Sequence, residues 1–224
     1  VAKKFAKLLG MDPWLINPMF AHCGEVDFSD GTGSECLMSN AEALLGKIRR
    51  KYKEYGINEK PFIIVKADAG TYGMGIMTVR DPKDLAELNR KTRNKMSVIK
   101  EGQQVTQVIL QEGVPTYERV NDAVAEPVVY MIDRYVVGGF YRVHAERGRD
   151  ENLNAPGMRF QPLAFDYGCS LPDPDGAPDD APNRFFAYGV VARLALWAAA
   201  VELELTAPAV EIVCPFQLYG SWLL

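Results

Sequence analysis

The stretch that most constrains the fold is an apolar run that ends in one lysine and leads into a glycine-rich turn. Residues 62–66 (FIIVK) are short, partly β-branched and preceded by Pro61, which predicts a buried strand. Residues 67–75 (ADAGTYGMG) hold three glycines, and a second strand-like run, Ile76–Val79, follows them. The glycines neither open a helix nor precede Gly-Lys-Ser/Thr, so the pattern is not a dinucleotide fingerprint or a P-loop. It predicts a strand–glycine loop–strand hairpin.

This hairpin has the chemistry of a phosphate cover. Glycine permits positive φ, so backbone N–H groups can approach an anion closely while a lysine supplies positive charge. The alternative is a tight turn whose lysine simply leaves the sheet into water. The candidate binding residues of the hairpin are Lys66, Gly70, Thr71, Gly73 and Gly75.

Length and charge limit the class of protein. A chain of 224 residues can bury a core as one domain or two small ones. A net charge of −4 gives no bulk attraction to nucleic acid. Residues 190–201, the longest apolar stretch, are interrupted by Arg193 and fall short of the roughly 20 residues of a membrane span. Residues 1–10 predict an amphipathic helix, not a signal peptide. We therefore expect a cytoplasmic protein without nucleic-acid or membrane partners.

The cysteines and histidines form no recognisable reactive motif. Without C-x-x-C spacing or a secretory context, reduced thiols are the expectation. His22 beside Cys23 lacks a second half of a metal site, and neither His144 nor Cys169 lies in a nucleophile motif. The four cysteines are Cys23, Cys36, Cys169 and Cys214.

Three further helices and a long loop are predicted. Residues 39–42 (SNAE) are a capping box, which predicts a helix that ends before Gly56. Asp81 and Pro82 suit the N-cap and first position of a helix that runs to about residue 95. Residues 185–203 predict a helix with a hydrophobic face, and residues 12–33 predict a loop.

A strand followed by a hinge is predicted after the second of these helices. Residues 105–112 predict the strand, and Gly113-Val114-Pro115 follows it. A strand that leaves into such a hinge presents free backbone amide and carbonyl groups, which commonly read an adenine edge. The candidate nucleotide-binding residues here are Gln111, Glu112, Gly113 and Val114.

A strand pair and an asparagine-rich segment complete the pattern. Residues 126–132 and Tyr135–His144 predict two strands, and the adjacent glycines 138 and 139 suggest a bulge or a close approach by another backbone. The return strand carries Arg142. Further on, Asn152 and Asn154 point to the same side if their segment is extended, and two amide oxygens can ligate Mg²⁺. The alternative is a turn rich in asparagine and glycine.

This order of elements resembles the ATP-grasp fold. In that family a lysine and a glycine-rich loop cover the nucleotide phosphates, a hinge holds adenine, and later strands bring an arginine and Mg²⁺ ligands. The resemblance implies an α+β fold, with antiparallel or mixed sheets, flanking helices and a glycine-rich hairpin over the nucleotide. Matching residues are Lys66, Gly70, Gly73, Gly75, Gln111, Glu112, Gly113, Val114, Arg142, Asn152 and Asn154.

Two assignments stay open within this resemblance. Asn152 occupies the place of the usual acidic Mg²⁺ ligand, so another carboxylate must complete the site, with Glu126 the first candidate and Asp133 the second. The family's upstream nucleotide lysine is one of Lys47, Lys51, Lys53 and Lys60.

More closely, residues 5–204 resemble the proteobacterial, ATP-grasp-type glutamate–cysteine ligases. The matching stretches are 12–18 (DPWLINP), 47–52 (KIRRKY), 65–76 (VKADAGTYGMGI), 138–142 (GGFYR) and 152–157 (NLNAPG). The resemblance implies ATP- and Mg²⁺-dependent formation of γ-glutamylcysteine through an acyl phosphate, the first step of glutathione synthesis, with Lys66 and Arg142 catalytic. Since the chain lacks an initiator methionine, we expect it to be the C-terminal, nucleotide-binding half of a longer protein.

The expected organisation is a helical and loop segment at 1–60 that faces the substrate, an ATP-grasp domain at 61–204 and a tail of unclear origin at 205–224. Expected partners are glutamate and cysteine, and a homo-oligomer is compatible with the pattern. Three alternatives remain: another ATP-grasp carboxylate–amine ligase, such as one like glutathione synthetase, an inactive nucleotide-binding fragment, and a structural module whose hairpin binds nothing.

Overall fold

The computed structural model describes residues 1–67, 75–86, 88–97, 99–100, 103–104, 106–163 and 184–206. These residues form an α+β structure whose sheets are antiparallel throughout. The helices are α1 Ala2–Leu9, α2 Ser34–Glu54, α3 Lys83–Ala86, α4 Arg90–Met96 and α5 Arg184–Thr206, with a 3₁₀ turn at Pro13–Leu15. The strands are β1 Phe20–Cys23, β2 Ile63–Ala67, β3 Ile76–Val79, β4 Ile99–Lys100, β5 Gln103–Gln104, β6 Val108–Glu112, β7 Arg119–Val120, β8 Ala123–Ile132, β9 Tyr135–His144 and β10 Arg159–Pro162.

The first sheet has the strand order β1-β6-β2-β3. Strands β2 and β3 pair directly, with Lys66 opposite Ile76, as expected for the two arms of the predicted hairpin. Gly75 leads into β3 with a φ of 62°, a conformation that favours glycine. The loop predictions for Gly70, Thr71 and Gly73 lie outside the described residues.

One face of the first sheet packs against α2. Because side chains alternate along a strand, Ile63 and Val65 point into this core while Ile64 and Lys66 point to the opposite face. Leu45 and Ile48 of α2 are fully buried in the same cluster. Residues before and after position 60 thus share one core, and the division into domains stays a prediction.

The second sheet has the order β10-β9-β8-β7 and is built on the long β8–β9 hairpin. The pairing shifts between Tyr130, opposite Gly138, and Met131, opposite Val136. The irregularity suggested by the two adjacent glycines is therefore confirmed. The structure also adds two strands that the sequence pattern did not indicate, β7 and β10.

Three predictions about the helices and the first loop are wrong. The capping box at residues 39–42 lies inside α2, because Gly33, with a φ of 76°, lets the helix begin at Ser34. The predicted loop 12–33 contains strand β1, which pairs with the strand β6, distant in the sequence. The helix predicted for 81–95 is divided, since the side chain of Asn89 accepts from Thr92 N and caps a separate helix, α4.

Helix α5 has the predicted position, but its apolar residues are not confined to one face. By length and composition its segment Phe186–Thr206 could span a membrane. The mean hydropathy of an 18-residue stretch of this segment is 1.5, and 6% of that stretch is buried inside the structure. The sequence argument from residues 190–201 therefore underestimated the length of the apolar segment. One such helix is weak grounds for a membrane protein, and the absence of membrane partners stays a prediction. The exposed large apolar residues of α5 are Val191, Leu196, Trp197, Leu203 and Leu205.

Candidate functional site

A cavity of about 300 Å³ lies between the first sheet and the β8 side of the second sheet. A larger neighbouring cavity of about 510 Å³ is lined mainly by apolar side chains such as Trp14 and Tyr52. We take the smaller cavity as the candidate site because polar groups converge there, as they do in ligand sites. Predicted site residues that line it are Lys66, Gln111, Glu112, Val114, Glu126 and Asn152.

Lys66 reaches this cavity from the face of β2 that is turned away from the core. Its Nζ atom donates to Gln111 Oε1 at 2.8 Å, across the β2–β6 pair. Burial lowers the pKa of the Lys66 ammonium group, because a charged amine loses hydration there. The lysine is thus held in place by a neutral partner, which leaves its positive charge uncompensated by that contact.

The hinge differs from the prediction in its backbone hydrogen bonds. Glu112 N donates to Met19 O at 2.7 Å, and Gly113 N donates to Phe62 O at 2.8 Å. The prediction of free amides is therefore wrong for these two residues, because neighbouring segments already use them. Val114, the next residue, lines the cavity and is 62% exposed.

The side chain of Glu112 has a structural contact that the sequence did not indicate. It is 4% exposed, and its two oxygens accept from Trp14 Nε1 at 3.0 and 2.9 Å. Glu112 Oε2 also accepts from Met19 N at 2.9 Å. A buried carboxylate needs such donors to offset its lost hydration. Glu112 thereby ties the segment before β1 to the hinge.

Gly113 is required by close packing. A Cβ atom at this position would lie 2.1 Å from Cε2 of Phe62, which is far inside any normal contact. The glycine lets the hinge backbone lie against the Phe62 ring, which is itself 4% exposed. Its place in the site is therefore explained by shape, in addition to any ligand contact.

Glu126 and Arg142 meet on the second sheet. They are opposite each other in the β8–β9 register and form an ion pair. Glu126 lines the cavity, whereas Arg142 is not among the described lining residues and contacts the Glu126 carboxylate. The Arg142 Nε atom is shielded from solvent and has no acceptor among the residues that the structure describes. This unsatisfied donor is unusual for a buried group.

The two asparagines do not lie on an extended segment. Asn152 Oδ1 accepts from Asn154 N at 2.9 Å, a short-range turn that anchors the backbone between them. Leu153 is buried at 1% exposure, and His144 Nε2 contacts Pro156 O at 3.0 Å. The prediction of an extended pair is wrong, because Leu153 turns inward and a turn forms around it. Asn152 lines the cavity, and Asn154 is not among its described lining residues.

The carboxylate candidates for a metal site are far apart. Asp133 lies in the β8–β9 turn with a φ of 52°, seven residues beyond Glu126, or about 23 Å along a strand. Asp133 therefore does not complete a site with Glu126. Within the described parts of the chain, no group of three or more His, Cys, Asp or Glu side chains could hold a metal. The upstream lysine also stays unassigned, because none of its candidates is among the described residues that line the cavity.

A charged loop at residues 146–151 forms a wall that the sequence did not indicate. Arg149 exchanges hydrogen bonds with Thr116, at 2.7 Å from Thr116 N to Arg149 O and 3.0 Å from Arg149 Nε to Thr116 O. Asp150 forms an ion pair with Arg80. The pKa of the Glu151 carboxyl group is lowered, chiefly by the hydrogen bond from Gly148 N and next by the hydrogen bond from the Arg147 side chain. Arg149, Asp150 and Glu151 line the cavity.

Three further lining residues could have been found from the strand period. Ile64 lies two positions before Lys66, and Ile76 and Thr78 lie on the paired strand at positions that face the same side. The alternation in residues 62–66 and 76–79 was the available signal.

Comparison with known proteins identifies the family. A model of the glutamate-cysteine ligase family matches residues 1–203. This chain belongs to that family. A crystal structure at 1.90 Å from Methylobacillus flagellatus KT, of a protein proposed to be a gamma-glutamylcysteine synthetase, is similar with a TM-score of 0.79 and 64% sequence identity. The match covers 92% of this chain and 48% of the other, so the chain spans about half the length of that relative. No curated protein sequence matches.

Proposed function

We propose that this chain is the nucleotide-binding part of an ATP-grasp ligase that joins the γ-carboxylate of glutamate to the amine of cysteine. The observation that carries the proposal is the convergence of Lys66, Gln111, Glu126 and Asn152 on one cavity between two antiparallel sheets. Membership of the glutamate-cysteine ligase family supports the substrate assignment. We expect a cytoplasmic enzyme that acts on small molecules.

In this proposal the first sheet binds the nucleotide. Ile64 offers an apolar surface for the adenine ring, and Val114 at the hinge offers a backbone edge at the same end of β2. Lys66 lies farther along β2 than Ile64, toward the glycine loop, where the phosphates would lie. Gly70, Thr71, Gly73 and Gly75 would cover those phosphates with backbone amides.

The reaction needs ATP because a carboxylate does not condense with an amine at neutral pH. The glutamate γ-carboxylate attacks the γ-phosphorus, ADP leaves, and a γ-glutamyl phosphate forms. The cysteine amine then attacks the acyl carbon, and phosphate leaves as the amine loses a proton. The protein mainly positions these groups and stabilises charge. Lys66 neutralises charge on the transferring phosphoryl group, and Arg142, whose partner Glu126 lines the cavity, is assigned to hold the phosphate of the intermediate.

Glu126 and Asn152 fit a role as Mg²⁺ ligands. Both residues line the cavity and carry side-chain oxygen atoms, and Mg²⁺ is usually bound through one or two carboxylates together with substrate phosphates. The cation would supply charge neutralisation at the phosphates. Glu126 would have to share its carboxylate with Arg142, and Asn152 would have to release Asn154 N or bind through its second lone pair. Asn154, the second amide named from the sequence, is not among the described residues that line the cavity, so we do not include it in the proposed ligand set.

The test is ADP release by the full-length protein with Mg²⁺-ATP and each amino acid alone or together. We expect release that needs both glutamate and cysteine. Release that needs a different amino acid in place of cysteine would instead indicate another carboxylate–amine ligase.

Arg142→Ala should lower turnover on the order of 10²–10³-fold, by analogy with the loss of one charge-stabilising donor elsewhere. A loss of less than about tenfold would contradict the role of Arg142, and Arg119→Ala, on the exposed strand β7, is the matched control.

A further inference from the structure

Two cysteines outside the candidate site lie in contact. Cys23 ends strand β1 and is 2% exposed, whereas Cys36, in the first turn of α2, is exposed to solvent. Both are free thiols, and their Sγ atoms are 2.8 Å apart. A disulfide bond is about 2.0 Å long, so bond formation needs a movement of less than about 1 Å. The two sulfur atoms are therefore close enough to be joined by a small movement of the side chains.

The surroundings of the two cysteines differ in exposure and in their effect on the thiol groups. Asn40 Nδ2, one turn along α2, donates to Cys23 Sγ at 3.1 Å and to Cys36 Sγ at 3.3 Å. Such a donor stabilises a thiolate. Burial, followed by the contact with Cys36, raises the pKa of the Cys23 thiol to about 11. An external oxidant can reach the exposed Cys36 first. Cys23 Sγ then lies close enough to attack the modified sulfur of Cys36.

We propose that Cys23 and Cys36 are a modification site that closes to an intramolecular disulfide on reaction with a low-molecular-weight disulfide. The Cys36 thiolate attacks one sulfur of that disulfide and releases one small thiolate. The Cys23 thiolate then attacks Cys36 Sγ and releases the second. Two cysteines are oxidised, the small disulfide is reduced to two thiols, and the released thiolates take up the two cysteine protons. Cytosolic disulfides are commonly transient and redox-responsive, which agrees with one partner's exposure.

The bond would join an edge strand to the helix that covers the first sheet. Strand β1 is at the edge of that sheet and pairs with β6, where Phe20 lies opposite Gln111 of the candidate site. The two cysteines are 13 positions apart, so the bond closes a loop of moderate length and restricts the unfolded chain. The oxidised protein should unfold at a higher temperature than the reduced protein.

The test is peptide mapping of the full-length protein after exposure to glutathione disulfide and alkylation of the remaining thiols. We expect a peptide that links Cys23 to Cys36, with no glutathionyl group left on either residue, and its loss on reduction. A stable glutathionyl adduct on Cys36, an unmodified pair, or a disulfide between two chains would each overturn the proposal.

Two variants sharpen this test. Cys23→Ser should trap the glutathionyl adduct on Cys36, because no second sulfur can displace it. The double variant C169S/C214S should still form the linked peptide, which shows that the other two cysteines are not needed. If Cys23→Ser does not fold, the peptide map of the double variant still decides the question.

Discussion

The two walls of the candidate cavity are held in place in different ways. The wall on the first sheet is built from regular strands, and Ile64, Lys66 and Gln111 point into the cavity because side chains alternate along β2 and β6. The opposite wall includes the loop at 146–151, which is held by side-chain and backbone contacts such as those of Arg149 with Thr116. The wall on the first sheet is thus held by the continuous backbone hydrogen bonds between paired strands, whereas the loop wall is held by separate contacts.

This difference explains how much of the site could be predicted from the sequence. The local sequence pattern predicted strand β2 to within one residue and strand β9 without error, so Lys66 and Arg142 were placed on the correct strands. Strand β1 was missed because the strand it pairs with, β6, is some 90 residues away in the sequence. The role of Arg149 was missed for the same reason, since nothing near it in the sequence indicates that it contacts Thr116.

The largest expected effect is on the sheet wall. Lys66→Ala in the full-length protein should lower turnover on the order of 10²–10³-fold, because in the proposed mechanism it removes the cation at the transferring phosphoryl group. Steady-state ADP release measures this loss. Lys83→Ala, at an exposed lysine of α3, is the matched control and should retain activity. A loss of less than about tenfold for Lys66→Ala would contradict the assigned role.

The next effect is on the hinge that ends β6. Gly113→Ala should lower the free energy of unfolding by about 1–3 kcal/mol, because its Cβ would overlap the Phe62 ring. Denaturant titration measures this change. Gly138→Ala is the control, since a Cβ there meets nothing within 4 Å. If the overlap is the cause, Phe62→Leu should recover part of the stability lost in Gly113→Ala, and full additivity of the two changes would argue against it.

A third prediction concerns the buried carboxylate beside the hinge. Trp14→Phe should lower the free energy of unfolding by about 1–3 kcal/mol, because Glu112 keeps its burial but loses the indole donor. Trp197→Phe, on the exposed α5 helix, should change it far less. Thermal unfolding of the two variants under the same conditions makes the comparison, and equal losses would show that Glu112 does not depend on Trp14.

The smallest effect is expected on the loop wall. Arg80 and Asp150 form an ion pair with side chains that are 55% and 37% exposed, so water and salt screen most of their attraction. Asp150→Asn should therefore change the free energy of unfolding by less than about 1 kcal/mol, and less still at high salt. A loss as large as that of Gly113→Ala would mean that the loop wall is as firmly held as the sheet wall.

The central claim is that Lys66 and its neighbours bind Mg²⁺-ATP in the cavity between the sheets. The most direct measurement is thermal unfolding of the wild type, Lys66→Ala and Lys83→Ala with and without Mg²⁺-ATP. A ligand at 100 times its dissociation constant adds about 2.7 kcal/mol of stability, which is a readily measured shift. We predict a clear upward shift for the wild type and Lys83→Ala and a much smaller one for Lys66→Ala. Equal shifts in all three proteins, or none in the wild type, would contradict the account.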